Sequence, residues 1–207
     1  MNDFMFRMPT RVIFGVGACK NVPQLCKEQG FARMFVVTGR TSTRKSAHLL
    51  TLLAELGKVG IVTQVYSDVE ADPSVETVTN GAAAMAAFAA DAIIAFGGGS
   101  PMDAAKSISM ISANGGSILD YMLVRKAYTK RGVPLICIPT TAGTGSEVTA
   151  AAVTTDKETH RKIGVSSDFQ MPAFAIIDPE LHVSMPLSVT AATGIDALTH
   201  AIEAYIA

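Results

Sequence analysis

The stretch Asp91-Ala-Ile-Ile-Ala-Phe96-Gly97-Gly98-Gly99-Ser100-Pro101-Met102-Asp103 carries the reading of this chain. Residues 91–96 form a short apolar run bounded by turn residues, which predicts a strand buried on both faces. Three glycines follow at once; without a Cβ, the backbone there can adopt positive φ and approach a ligand closely. Ser100 is then read as an N-cap, Pro101 as the first helical residue and Asp103 as the third. A helix beginning there aims its free N–H groups and the positive end of its dipole at the loop, which makes a site for pyrophosphate. The same residues would also suit a tight strand-to-helix turn with a capping box. Their position between a strand and a helix favours the phosphate reading, because the chemistry requires that context.

Working outward, strands and helices alternate. Residues 11–15 read as a short strand and 20–29 as a helix closed by Gly30. Residues 33–38 are a β-branched apolar strand. Residues 42–56 are a helix with Leu49, Leu50, Leu53 and Leu56 on one face and Gly57 at its end. Residues 61–66 are the next strand, and Asp72-Pro73-Ser74 opens a helix running to about residue 90. A further helix follows Ser100, then a strand at 134–138. This is the pattern of βαβ units: an α/β fold with a parallel, Rossmann-like sheet, helices on both faces and right-handed crossovers. Beyond residue 149 the pattern changes. Residues 151–155 and 162–165 flank the charged turn 156–160 and read as a β-hairpin set on the sheet. Residues 174–177 are another strand, and from Pro186 the chain reads as helix.

Strand 134–138 opens into Pro139-Thr140-Thr141-Ala142-Gly143-Thr144-Gly145-Ser146-Glu147-Val148-Thr149. Such a stretch suits a solvated turn. It equally suits a ligand, since open α/β sheets bind ligands just outside the carboxyl ends of their strands. Two such loops at two strand ends favour one shared dinucleotide. Farther on, Asp196 and His200 are four residues apart in a helical segment and project from one face. They form either an ordinary solvated pair or two ligands of a divalent ion, and two ligands alone do not make a site. His48, His160 and His182 read as surface or turn residues.

Composition bounds the rest. Of 207 residues, 49% are hydrophobic and 17% charged, as in a globular protein with a core of its own. A net charge of −1 gives no electrostatic case for nucleic acid or an anionic membrane. No apolar stretch is long and uncharged enough to read as a membrane span, and the first residues lack the apolar run of a signal peptide. Cys19, Cys26 and Cys137 form no CxxC pair and read as buried, reduced thiols of a cytoplasmic protein.

Taken together and in order, GGGSPMDAAK, PTTAGTGSEVT and GIDALTHAIEAY resemble the signatures of the iron-containing alcohol dehydrogenases, along essentially the whole chain. DALTHAIE resembles most the branch of lactaldehyde reductase, 1,3-propanediol and butanol dehydrogenases. Glycerol dehydrogenase, zinc-dependent by family habit, shares the fold and fits that segment less well. The resemblance implies a dehydroquinate-synthase-like N-terminal domain at residues 1–185, with 186–207 as the first helix of an all-helical metal and substrate domain that is otherwise missing. It implies that Gly97, Gly98, Gly99 and Ser100 hold a pyrophosphate and that Asp103 caps and orients the helix. Thr140, Thr141 and Thr144 would contact the cofactor, and Lys162 its ribose near the nicotinamide. Asp196 and His200 would be two of four ligands to Fe(II), or alternatively Zn(II), with two further histidines supplied later in the family's chains. The metal would polarise the oxygen of a small alcohol or aldehyde for hydride transfer to or from NADP or NAD. Family habit implies a dimer or larger homo-oligomer.

The chain departs from the family pattern in two respects. After strand 33–38 come Gly39 and Arg40, where members that prefer NAD often carry an Asp. That acid would bind the ribose hydroxyls and repel a 2′-phosphate, so Gly39, with Arg40, Arg44 or Lys45 nearby, predicts a preference for NADP. The chain also stops within the first helix of the second domain, with its apolar positions Ile195, Leu198, Ile202 and Tyr205 left without their usual partner. For the isolated chain this implies weak or no activity. The alternative reading is a non-catalytic nucleotide-binding module, or a fragment that self-associates.

Overall fold

A computed structural model of the chain describes residue 5 and residues 7–206. Among these described residues eight strands run β1 (Arg11–Phe14), β2 (Arg33–Gly39), β3 (Val62–Val69), β4 (Ala92–Gly97), β5 (Leu135–Pro139), β6 (Ala151–Asp156), β7 (Arg161–Ser166) and β8 (Phe174–Ile177). Six α-helices join them: α1 (Val22–Glu28), α2 (Ala47–Lys58), α3 (Val75–Phe88), α4 (Gly99–Asn114), α5 (Ile118–Met122) and α6 (Leu187–Ile206). Six strands form one sheet in the order β1-β8-β5-β4-β2-β3. All its neighbours pair in parallel.

Residue alternation along the central strands divides the core in two. Met34, Val36, Ile94, Phe96, Ile136 and Ile138 pack with residues of α1 and α2. Phe35, Val37, Ile93, Ala95, Leu135 and Cys137 pack with α3, α4 and α5 on the other face. Successive side chains point to opposite faces, so a sheet covered on both sides needs a continuous apolar run. Each of the Val, Leu, Ile, Phe and Met side chains among these contributes about 1.5–3 kcal/mol on burial.

The chain moves from β2 outward to β3, then returns across β2 to β4 and continues the other way. The sheet therefore reverses direction between β2 and β4, and a crevice opens beyond their carboxyl ends.

Several expected boundaries differ. The second helix starts at Ala47, because residues 40–45 form consecutive turns and Ser46 N–H bonds back to the Thr43 carbonyl. Leu52, not Leu50, faces the core there, and Leu50 is exposed. Gly57 lies inside the helix, and Gly60, at φ +85°, closes it. Residues 18–21 are a 3-10 turn leading into α1. The hairpin β6–β7 is a separate two-stranded antiparallel sheet. It lies over α4, to which Val153 N–H and the Ala151 carbonyl are bonded, rather than joining the main sheet. Helix α5 was not expected; Ser117 and Asp120 form a complete capping box at its start.

Candidate functional site

The carboxyl ends of β2, β4 and β5 lie side by side. Thr38 is in register with Phe96, and Gly97 with Pro139. Thr140 N–H donates to the Gly97 carbonyl at 2.9 Å, so the glycine loop and the Thr/Gly/Ser segment leave the sheet together. Gly97, at φ +153°, turns the chain, and α4 begins earlier than expected, with Gly98 as N-cap and Gly99 as its first residue.

Two expectations are corrected here. Ser100 is the second helical residue, not the cap, and its Oγ accepts from Asp72 N–H at 3.2 Å. Among the described residues no side chain caps the start of α4. Asp103 is a turn further in and does not cap either. Its Oδ1 accepts from Ser146 Oγ at 2.7 Å and its Oδ2 from Val153 N–H at 3.1 Å, so it anchors the second loop and the hairpin to α4. Because the glycines let the helix start early, its first N–H groups have no side-chain acceptor among the described residues.

The two loops touch. A Cβ on Gly98 would stand 2.9 Å from Thr141 Oγ1, and one on Gly99 would stand 2.9 Å from Thr144 Cγ2. The glycines therefore admit the threonines to close range. Thr38, fully buried at the end of β2, has a hydroxyl without a hydrogen-bond partner among the described residues. Beside these ends lies a cavity of about 230 Å³, bordered by Ser42, Thr43, Thr140, Thr141, Leu181 and Val189. The orphaned hydroxyl, the open helix end and this cavity fit a dinucleotide. The wall from 181 to 189 was not legible in the sequence, because it depends on how the segment after β8 returns across the sheet.

Sequence reasoning also missed Lys106. It is 1% exposed, and its Nζ donates to Ser146 Oγ (2.9 Å), Thr149 Oγ1 (3.2 Å) and the Ala151 carbonyl (2.8 Å). Burial pushes its ammonium below the usual lysine range, opposed by Cys137 and Asp103. Burial likewise raises the Asp103 carboxyl, against the hydrogen bonds from Ser146 and Val153 and the Lys106 charge. A lysine three residues after Asp103 on a helix rich in small residues was the available signal.

Gly39 ends β2 next to Gly97's strand. Arg40 is not free. Its Nε donates to the Asp68 carbonyl at 2.8 Å, and a terminal nitrogen lies 3.4 Å from Glu70 Oε2. Lys162 pairs with Asp72 at 2.5 Å, which places it at the rim by Ser100. Helix α6 crosses the second loop: a Cβ on Gly143 would stand 2.8 Å from Asp196 Oδ2. Asp196 Oδ1 and His200 Nε2 are 3.7 Å apart. Among the described residues, no three His, Cys, Asp or Glu side chains are grouped to hold a metal ion.

A larger cavity of about 590 Å³, between the α1 region and α2, is lined by Cys19, His48, Glu55 and Asp178 and shares no residue with the glycine loop. All three cysteines are free and buried. No helix among the described residues is long and apolar enough to cross a membrane.

A family model described as iron-containing alcohol dehydrogenase matches residues 9–179. Choline dehydrogenase of Bacillus subtilis is 41% identical over 202 residues, covering 97% of this chain and 50% of that protein. NADPH-dependent butanol dehydrogenase of Clostridium saccharobutylicum is 38% identical, covering 98% and 52%. The crystal structure of sulfoacetaldehyde reductase from Bifidobacterium kashiwanohense in complex with NAD+ superposes with a TM-score of 0.93 at 33% identity, covering 98% and 53%. The chain thus spans about half the length of the curated relatives it matches.

Proposed function

The chain belongs to the iron-containing alcohol dehydrogenase family, and from that premise we propose that residues 1–185 bind NADP or NAD while 186–207 open the helical metal and substrate domain. The activity proposed for the whole protein is NAD(P)-dependent, metal-dependent interconversion of small primary alcohols and aldehydes. The observation that carries the nucleotide site is the uncapped start of α4, opening between β2 and β4 with Thr141 and Thr144 against its glycines.

In this reading the N–H groups of Gly97, Gly98, Gly99 and Ser100 hold the pyrophosphate. Asp103 and Lys106 hold the second loop in place, so that Thr140, Thr141 and Thr144 face the cofactor and Lys162 reaches the ribose near the nicotinamide. The nicotinamide, when bound, supplies the hydride acceptor or donor. Gly39 puts no carboxylate at the end of β2, and Arg40, Arg44 and Lys45 are the cations beside it, which supports a preference for NADP.

Asp196 and His200 are proposed as two ligands of a divalent ion, Fe(II) ahead of Zn(II). Two donors fall short of the three or more that a catalytic metal takes from its protein. That shortfall favours a second reading for the isolated chain, a nucleotide-binding module without catalysis. Metal-dependent turnover by the purified chain would remove it.

Calorimetric titration tests the nucleotide site. The chain should bind NADP with a Kd of about micromolar order, and Gly98→Val, whose side chain meets Thr141, should weaken binding by about tenfold or more. No binding of either dinucleotide by the parent chain overturns the reading.

A further inference from the structure

Glu70 directly follows β3, next to the end of β2: Gly39 is in register with Val69. Its carboxylate has a fixed place. Thr77 Oγ1 donates to Oε2 at 2.6 Å, and the side chain is only 17% exposed. Arg40 approaches that same oxygen, and the Lys157 ammonium from the hairpin turn lies 3.2 Å from Oε1. Burial alone would raise the Glu70 carboxyl, but hydrogen bonds from Thr77, its own backbone and Ser74, together with Lys157, outweigh burial and bring it to about 2.

In parallel sheets of this kind, the adenosine ribose falls at the end of the strand next to the phosphate loop's strand. Here that place is Gly39–Arg40, since β2 pairs with β4. One of the cations available to a 2′-phosphate, Arg40, is therefore already paired with Glu70, from the next strand out.

We propose that Glu70 is a specificity-determining residue: it competes with the 2′-phosphate of NADP for the Arg40 guanidinium, and so limits the preference for NADP over NAD. The assignment rests on the dinucleotide reading of the glycine loop. The phosphate must displace a carboxylate that Thr77 holds still, while Arg40 swings away from Glu70 and keeps or loses its bond to the Asp68 carbonyl. NAD carries only a neutral 2′-hydroxyl at that position and makes no such demand.

The test is the ratio of NADP to NAD affinity, measured by calorimetry for the 207-residue chain and its variants. A partly exposed pair of this kind, discounted for solvent around Arg40, is worth up to about fivefold in an equilibrium constant, so Glu70→Gln should raise the ratio by about that factor. Arg40→Ala should lower the ratio, and in Arg40→Ala/Glu70→Gln the effect of the second change should vanish. A Glu70→Gln change that alters both nucleotides equally reports on folding alone and overturns the proposal, as does a ratio untouched by Arg40→Ala. If the parent binds both nucleotides but Glu70→Gln leaves the ratio unmoved, only the Glu70 assignment falls. If the parent binds neither, the dinucleotide reading falls with it.

Discussion

At the residue scale, the polar side chains that matter most are the buried ones, because each needs partners that folding supplies. Lys106 meets three acceptors and Asp103 two donors, and both tie α4 to the segment after β5. Sequence spacing placed Asp103 in the first turn of a helix and so suggested a cap. Its real partners are Ser146 and Val153, more than 40 residues away, which no local rule can reach. Glu70 gives a prediction at this scale. Its carboxyl sits at about 2 against an ordinary 4.5, so the folded state gains stability from its ionised form above pH 4.5 and loses it as pH falls towards about 2. Melting temperatures followed from pH 5 to pH 2.5 should fall less steeply for Glu70→Gln than for the parent. Parallel curves would mean that the carboxylate is not held as described.

Among the elements, most of the sheet was legible. Strands at 33–38, 91–96, 134–138 and 174–177 are apolar because both faces of the sheet are covered, and they appear within a residue or two of those bounds. The starts of helices were less legible. Glycines and serines can each begin a helix, and the choice between Gly98 and Ser100 follows from how Gly97 leaves the sheet. The pairing of α3 with α4 depends on one small residue. A Cβ at Gly81 would run into the Ile108 side chain and come within 3.2 Å of Tyr66. Gly81→Val should therefore force the two helices apart and destabilise the chain by about 1–3 kcal/mol, measured as a lower urea midpoint with an unchanged slope. A midpoint equal to the parent's would show that Ile108 yields freely. In the sequence, Gly81 stood in an alanine-rich helix and announced close packing without naming its partner.

For the molecule as a whole, α6 stands apart from the two cores. None of its residues is buried, and Ile195, Leu198 and Ile202 are 63%, 55% and 51% exposed. Apolar faces of that kind associate. Sedimentation of the 207-residue chain should show a dimer or larger species whose dissociation constant rises at least tenfold in Leu198→Glu/Ile202→Glu. A monomeric parent at tens of micromolar, about the range where such contacts show, would sink this expectation.

The sequence by itself determined the α/β class, the family, and the two loops proposed to bind a nucleotide. Each of these rests on short-range pattern: apolar runs, glycines after a strand, hydroxyls after another. Only the tertiary structure decided who holds whom. It set Arg40 against Glu70, Lys162 against Asp72, Asp103 against Ser146, and Asp196 over Gly143. Those pairings depend on strand order and on how the chain returns across the sheet. The free energy of a buried charge is set by neighbours brought from distant sequence, not by the residues on either side of it.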